Sequence, residues 1–235
     1  MKKIYILKMG SYFPESIQKH GDFEEWIVQS IGECGFDIET VDIYKNASLP
    51  SLEDIAGVII TGAHSMVTDL DSDSFRVEQF IPYLVEKEIP LFGICYGHQL
   101  LAKAMGGKVD YHPRGREVGQ VDIKLLADAK DDIIFSQLPK RFSAYATHSQ
   151  SVIKLPKNAV LLAKNDFEPH HAFRIGRCAW GVQFHPEHSE EVIKEYISAQ
   201  KDWFDSIGVS SKKMINKIKR APESASILKK FVELI

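Results

Sequence analysis

The chain has 235 residues, 44% of them hydrophobic and 26% charged, with a formal net charge of -3 at pH 7. That length suits one large domain, or one domain with a small appendage, and the composition is ordinary for a globular protein. The charge balance gives no basis for a nucleic-acid partner, and no apolar run approaches the length of a membrane span. Three cysteines, Cys34, Cys95 and Cys178, form no spaced framework. They point to a reducing compartment, so a cytoplasmic protein is expected.

Met1-Lys2-Lys3 precedes the apolar run Ile4-Tyr5-Ile6-Leu7, which Lys8 interrupts at once. The run is too short for a secretion signal and reads as a first strand, Ile4–Lys8. Further strands are predicted at Ile38–Ile43, Gly57–Thr61 and Pro90–Cys95. Between them, Asp22 caps a helix with Glu25 three residues on. Phe23, Trp26, Ile27 and Ile31 form its apolar face, and Cys34-Gly35 is its expected end. A second helix is predicted from about Asp73 to Glu88, with Pro82 expected to kink or shorten it. Alternating strands and helices imply a parallel sheet covered on both faces.

The middle of the chain reads differently. Val118–Leu126, Arg141–Thr147, Ala159–Lys164, Ala172–Ile175 and Ala179–Phe184 are predicted strands, with one helix at about Asp131–Gln137. This succession suggests antiparallel strands added to the parallel core. A helix follows from Ser189, with Val192, Ile193, Tyr196 and Ile197 on one face. The tail from Ser210 carries two short helical patterns broken at Ala221-Pro222. Its basic run Lys212–Arg220 reads as a solvated helix face. The expected class is therefore α/β: a mostly parallel central sheet with helices on both faces, added antiparallel strands and a C-terminal helical extension. The expected division is a domain over 1–205 and an extension over 206–235.

Gly93-Ile94-Cys95-Tyr96-Gly97 is the most informative segment. It joins a buried strand to a helix, and a nucleophile at such a turn needs small flanking residues because the backbone there is strained. Cys95 would lie at the N-terminus of the helix, where the dipole favours a thiolate. A thiolate nucleophile needs a base and a group that orients the base. In Gln183-Phe184-His185-Pro186-Glu187-His188, Pro186 favours an extended His185, and residues two apart on an extended segment project to one side. Glu187 is thus the candidate partner of one ring nitrogen, leaving the other to face Cys95. His185 and His188, with His170 and His171, match no standard zinc spacing, and no metal or other cofactor is expected. The turn Thr61-Gly62-Ala63-His64 ends a predicted strand, where open α/β sheets place their sites. Its N–H groups, with that of Tyr96, could hold an oxyanion.

These segments together resemble the class I (triad) glutamine amidotransferases, most closely the glutaminase domain of GMP synthase and its free-standing relatives. GICYGHQLLA and GVQFHPEHS carry the resemblance, with support from His112-Pro113-Arg114-Gly115-Arg116-Glu117-Val118-Gly119 and His170–Gly176. The resemblance is clear over about residues 50–190. It implies a flavodoxin-like fold and attack by Cys95 on a γ-glutamyl amide, with His185 as acid and base and Glu187 orienting it. It also implies an oxyanion hole from the N–H groups of Ala63 and Tyr96. Gln99 would contact the substrate, and the main chain of His148-Ser149-Gln150 would hold its α-amino and α-carboxyl end. Gly62, in the turn Thr61–His64, is also an expected substrate-binding residue.

Two departures from the family pattern stand out. Thr61-Gly62-Ala63-His64 replaces Ser-Gly-Gly-Pro, and His148-Ser149-Gln150 lacks the carboxylate of His-Gly-Asp or His-Gln-Asp. No P-loop pattern and no synthetase segment occur in the 235 residues. The expected partners are therefore a small glutamine-like or γ-glutamyl substrate and a possible separate synthetase or acceptor protein. The alternatives are a stand-alone γ-glutamyl hydrolase and a non-catalytic module of the same fold.

Overall fold

The computed structural model describes residues 2–69 and 72–235. Its described residues begin with β1 (Lys3–Lys8), α1 (Pro14–His20), α2 (Phe23–Ile31), β2 (Ile38–Asp42), β3 (Ile55–Ile60), α3 (Ser72–Glu86), β4 (Leu91–Ile94) and α4 (Tyr96–Ala104). Then come β5 (Lys108–Tyr111), β6 (Glu117–Leu125), β7 (Arg141–His148), β8 (Gln150–Lys154), β9 (Ala159–Lys164), β10 (Ala172–Ile175) and β11 (Ala179–Val182). Four helices close the chain: α5 (Glu190–Ala199), α6 (Lys201–Ser206), α7 (Ser211–Ile215) and α8 (Pro222–Val232).

The main sheet has the order β2-β1-β3-β4-β11-β10-β9-β6-β7. Strands β2, β1, β3, β4 and β11 pair in parallel. Strands β10, β9, β6 and β7 continue the sheet antiparallel. This is the mixed α/β architecture expected from the sequence.

Strand periodicity sorts the core onto two faces. Ile4 and Ile6 of β1 pack with Ile27 and Ile31 of α2 and with Ile227, Leu228 and Phe231 of α8. Tyr5 and Leu7 point the other way, to Val77, Ile81 and Leu84 of α3 and to Leu100 and Leu101 of α4. The last helix is thus part of the wall behind the sheet. Phe231 is fully buried, with its ring 5.3 Å from that of Phe92 and 6.1 Å from that of Trp180.

Several local expectations are corrected. Helix α2 ends at Gly32, not Gly35: Gly32 takes φ 70°, and its N–H donates to Val28 O, a conformation that favours glycine. Helix α3 runs unbroken through Pro82 to Glu86, because Val77 and Ile81 before the proline and Leu84 after it are all buried. The helix predicted at Asp131–Gln137 is replaced by two 3-10 turns, Ala127–Asp131 and Phe135–Gln137. The buried Asp132 carboxylate accepts from the N–H groups of Ile134 and Phe135, each at 3.0 Å, a side-chain bond that competes with helix formation. Helix α1 and the small antiparallel sheet of β5 with β8 were not anticipated.

Candidate active site

The C-terminal ends of β1, β3, β4 and β11 converge, as open parallel sheets require of a binding crevice. Cys95 occupies the junction of β4 and α4 with φ 49° and ψ -94°, a strained conformation for a non-glycine residue. The turn closes only because its flanks lack side chains. A Cβ on Gly93 would lie 2.5 Å from Gly97 O, and one on Gly97 would lie 2.5 Å from Ile60 O. Parallel pairing of β4 with β11 sets Cys95 beside Gln183. The Cys95 N–H donates to Val182 O at 2.8 Å, and Gln183 Nε2 is 3.5 Å from Cys95 Sγ.

His185 and Glu187 follow β11, at 3% and 4% exposure. His185 Nδ1 is 2.7 Å from Glu187 Oε1, and its Nε2 is 3.0 Å from Thr147 Oγ1. Burial alone would lower the basicity of this imidazole. The negative charges of Glu187 and Cys95, and hydrogen bonds to both, overcome that and raise its pKa to about 10. The ring is therefore held as an imidazolium beside Glu187 and Cys95. His188 stacks on it with centroids 4.1 Å apart. Burial, and then the positive charge of His185, push the pKa of His188 well below the ordinary histidine value, so this second ring is neutral. The donor atoms of His185, Glu187 and His188 lie within 4.8 Å of one another. A protonated His185 is, however, a poor metal ligand, since ligation needs a free lone pair.

Cys95 opens into a cavity of about 220 Å³. Ala63, Tyr96, Gln99, Ser149 and Gln150, all singled out from the sequence, line it. Gly62 does not; it packs against the His185 ring, where a Cβ would lie 3.1 Å from His185 Cε1. The Gln99 side chain donates from Nε2 to Gln150 O at 2.8 Å and to Gln183 Oε1 at 3.0 Å. Both N–H donors of its amide are thus engaged, leaving the oxygen as its remaining polar atom. Gln99 and Gln183 form a chain of amides from Cys95 to the strand β8.

A second buried network stands behind the loop His148-Ser149-Gln150. Glu117 accepts from His148 at 3.0 Å on one oxygen, which His171 Nε2 also approaches at 3.1 Å, and from Asn165 at 2.7 Å on the other. Burial opposes ionisation of Glu117, but the hydrogen bonds and charges of the two imidazoles hold it below the usual carboxylate range. His148 Nδ1 is also 2.9 Å from Gln150 O, so Glu117 braces the loop that lines the cavity.

Sequence reasoning missed Gln183, Thr147 and Arg116. Gln183 and Arg116 stand inside segments that carry the resemblance, but only the register of β4 with β11 brings Gln183 to Cys95, and only that of β6 with β7 brings Arg116 to the cavity. The exposed His64 lies at the mouth, with its ring 4.4 Å from that of Phe13. The tail beyond residue 206 contributes nothing to the cavity wall among the described residues.

A sequence model of the family described as glutamine amidotransferase class-I matches residues 17–201. A glutamine-hydrolyzing GMP synthase component from Archaeoglobus fulgidus, named as one subunit of that enzyme, is 32% identical over 183 residues, which cover 77% of this chain and 92% of that one. A GMP synthase from Thermosipho africanus is 30% identical over 216 residues, and the chain spans only 38% of its length. Gamma-glutamyl peptidase 5 from Arabidopsis thaliana is 30% identical over 201 residues, covering 84% of this chain and 74% of that one. A solved glutamine amidotransferase from Thermotoga maritima shares the fold with a TM-score of 0.78 at 22% identity, covering 99% of this chain and 97% of that one.

Proposed function

The chain belongs to the class I glutamine amidotransferase family, and from that premise we propose that it hydrolyses a γ-glutamyl amide bond through a thioester on Cys95. The buried alignment of Cys95, His185 and Glu187 carries the reading. Cys95 Sγ attacks the γ-carbonyl carbon, and the N–H groups of Ala63 and Tyr96 receive the oxyanion. His185 gives its proton to the leaving nitrogen, so ammonia or an amine departs and the γ-glutamyl thioester remains. His185, now neutral, takes a proton from water as that water attacks the thioester. Glutamate leaves, and the proton stays on the imidazole beside the restored thiolate. Glu187 fixes the tautomer and stabilises the cation.

All residues of this scheme lie within 1–205. We read the segment 206–235 as an extension that completes the sheet's wall rather than the site. Support for a synthetase partner comes from the Archaeoglobus fulgidus relative, which is named as a subunit. Support for a self-contained hydrolase comes from the Arabidopsis thaliana relative, which is named as a peptidase.

The test is amine release from a panel of γ-glutamyl compounds, glutamine included, by the purified protein. Cys95→Ala is expected to abolish it, while Cys34→Ala and Cys178→Ala retain it. Loss in Cys178→Ala alone would refute the nucleophile. High turnover without a second protein favours the hydrolase, and turnover only on adding an acceptor protein favours the amidotransferase.

A further inference from the structure

Arg116 is a cation in the cavity wall with no acid to neutralise it. It follows Gly115, whose φ of 91° turns the chain into β6. Its Nη2 donates to the Tyr196 hydroxyl at 3.1 Å and its Nη1 approaches Gln200 Oε1 at 3.4 Å. The guanidinium carbon stands 4.4 Å from the centroid of the Trp203 ring. All three partners are neutral, no ion pair of the described residues includes Arg116, and its Nε is buried without a partner. Arginine offers a planar fork matched to a carboxylate, and this half-buried guanidinium has no counter-ion among the described residues.

Its place on the sheet says which carboxylate. Glu117 pairs with His148 and Val118 with Thr147 in the antiparallel register of β6 and β7. Arg116 therefore falls opposite Ser149, two residues along the chain from Thr147, whose hydroxyl lies 3.0 Å from His185 Nε2. Two residues along a strand span about 6.6 Å, close to the reach of an extended glutamyl group from its amide carbon to its α-carboxylate oxygens. Arg116 and Ser149 both line the cavity.

We propose that Arg116 is the specificity residue of this site and that it binds the α-carboxylate of the γ-glutamyl group. This rests on the thioester reading above and deepens it. The site is then complete: Cys95 and the His185 imidazolium act on the amide, and the guanidinium anchors the acid. Tyr196, Gln200 and Trp203 hold the guanidinium in orientation without competing for its charge.

The experiment follows alkylation of Cys95 by a glutamine-mimicking chloroketone with a free α-carboxylate, against the same reagent with that group as a carboxamide. Wild type is expected to react at least about tenfold faster with the acid. Arg116→Met, which keeps an apolar stem against Trp203, is expected to lose most of that discrimination while still reacting with small neutral iodoacetamide at the wild-type rate. Arg116→Lys is expected to restore part of it. Equal discrimination in wild type and Arg116→Met overturns the assignment of Arg116 and leaves the thioester reading standing. A Cys95 that reacts with iodoacetamide but with neither chloroketone overturns both. With a turned-over γ-glutamyl amide, the expected pattern is a rise in KM with little change in kcat, which a general loosening of β6 would not give.

Discussion

His185 Nδ1 lies 2.7 Å from Glu187 Oε1, two residues along the same chain and both almost wholly buried. One carboxylate thus sets the tautomer, the orientation and the charge of the ring that serves Cys95. Glu187→Gln keeps the shape but reverses the hydrogen bonding it can offer. It is expected to lower kcat/KM by about 10²–10⁴-fold with an unchanged circular dichroism spectrum. Near-wild-type activity in steady-state assays would remove Glu187 from the triad.

The raised basicity of His185 also makes stability depend on pH. Burial works against the cation, but Glu187 and Cys95 more than compensate and lift the pKa from 6.5 to about 10. Between those values the folded protein holds a proton that the unfolded chain releases, so stability falls as pH rises. The contribution is complete below about pH 6.5 and gone above about pH 10. Thermal melts from pH 6 to 10 are expected to show this decline, and a shallower one in Cys95→Ala, which removes one of the groups that raise the His185 pKa. Equal slopes would contradict the coupling.

Gly97→Ala would place a Cβ 2.5 Å from the carbonyl oxygen of Ile60. Neither backbone can move without disturbing β3 or the Cys95 turn. A loss of about 1–3 kcal/mol in urea unfolding is expected from overpacking, together with a larger loss of activity, because the nucleophile moves with the turn. A fully active Gly97→Ala would mean that the turn is more tolerant than its geometry implies.

The closing helix gives a separate check on the fold. Phe231 is fully buried among Phe92 and Trp180, so Phe231→Ala should cost about 3–5 kcal/mol. Phe231 does not line the cavity, and KM is expected to stay within about twofold wherever the variant is folded. A negligible change in stability would show that α8 is an ornament on the domain rather than part of its wall.

Much of this was legible in the chain. The alternation of Ile4 and Ile6 with Tyr5 and Leu7 declares a strand buried on both faces, and Gly93 and Gly97 declare a turn too tight for side chains. The pairing of His185 with Glu187 follows from Pro186 and the two-residue period of extended chain. What escaped depends on contacts between distant segments. Gln183 meets Cys95 only because β11 inserts beside β4. Arg116 enters the cavity only because β6 and β7 pair in one register. Asp132 replaces an expected helix with turns because its carboxylate also serves Arg174 and Trp180, partners about forty residues away.

The most direct test of the central claim is mass spectrometry of the intact protein, acid-quenched during turnover of a γ-glutamyl amide and then mapped by peptide. A γ-glutamyl adduct on the peptide carrying Cys95, absent in Cys95→Ala and accumulating in Glu187→Gln, is the expected result. Turnover that persists in Cys95→Ala, or an adduct on any other residue, would contradict the account.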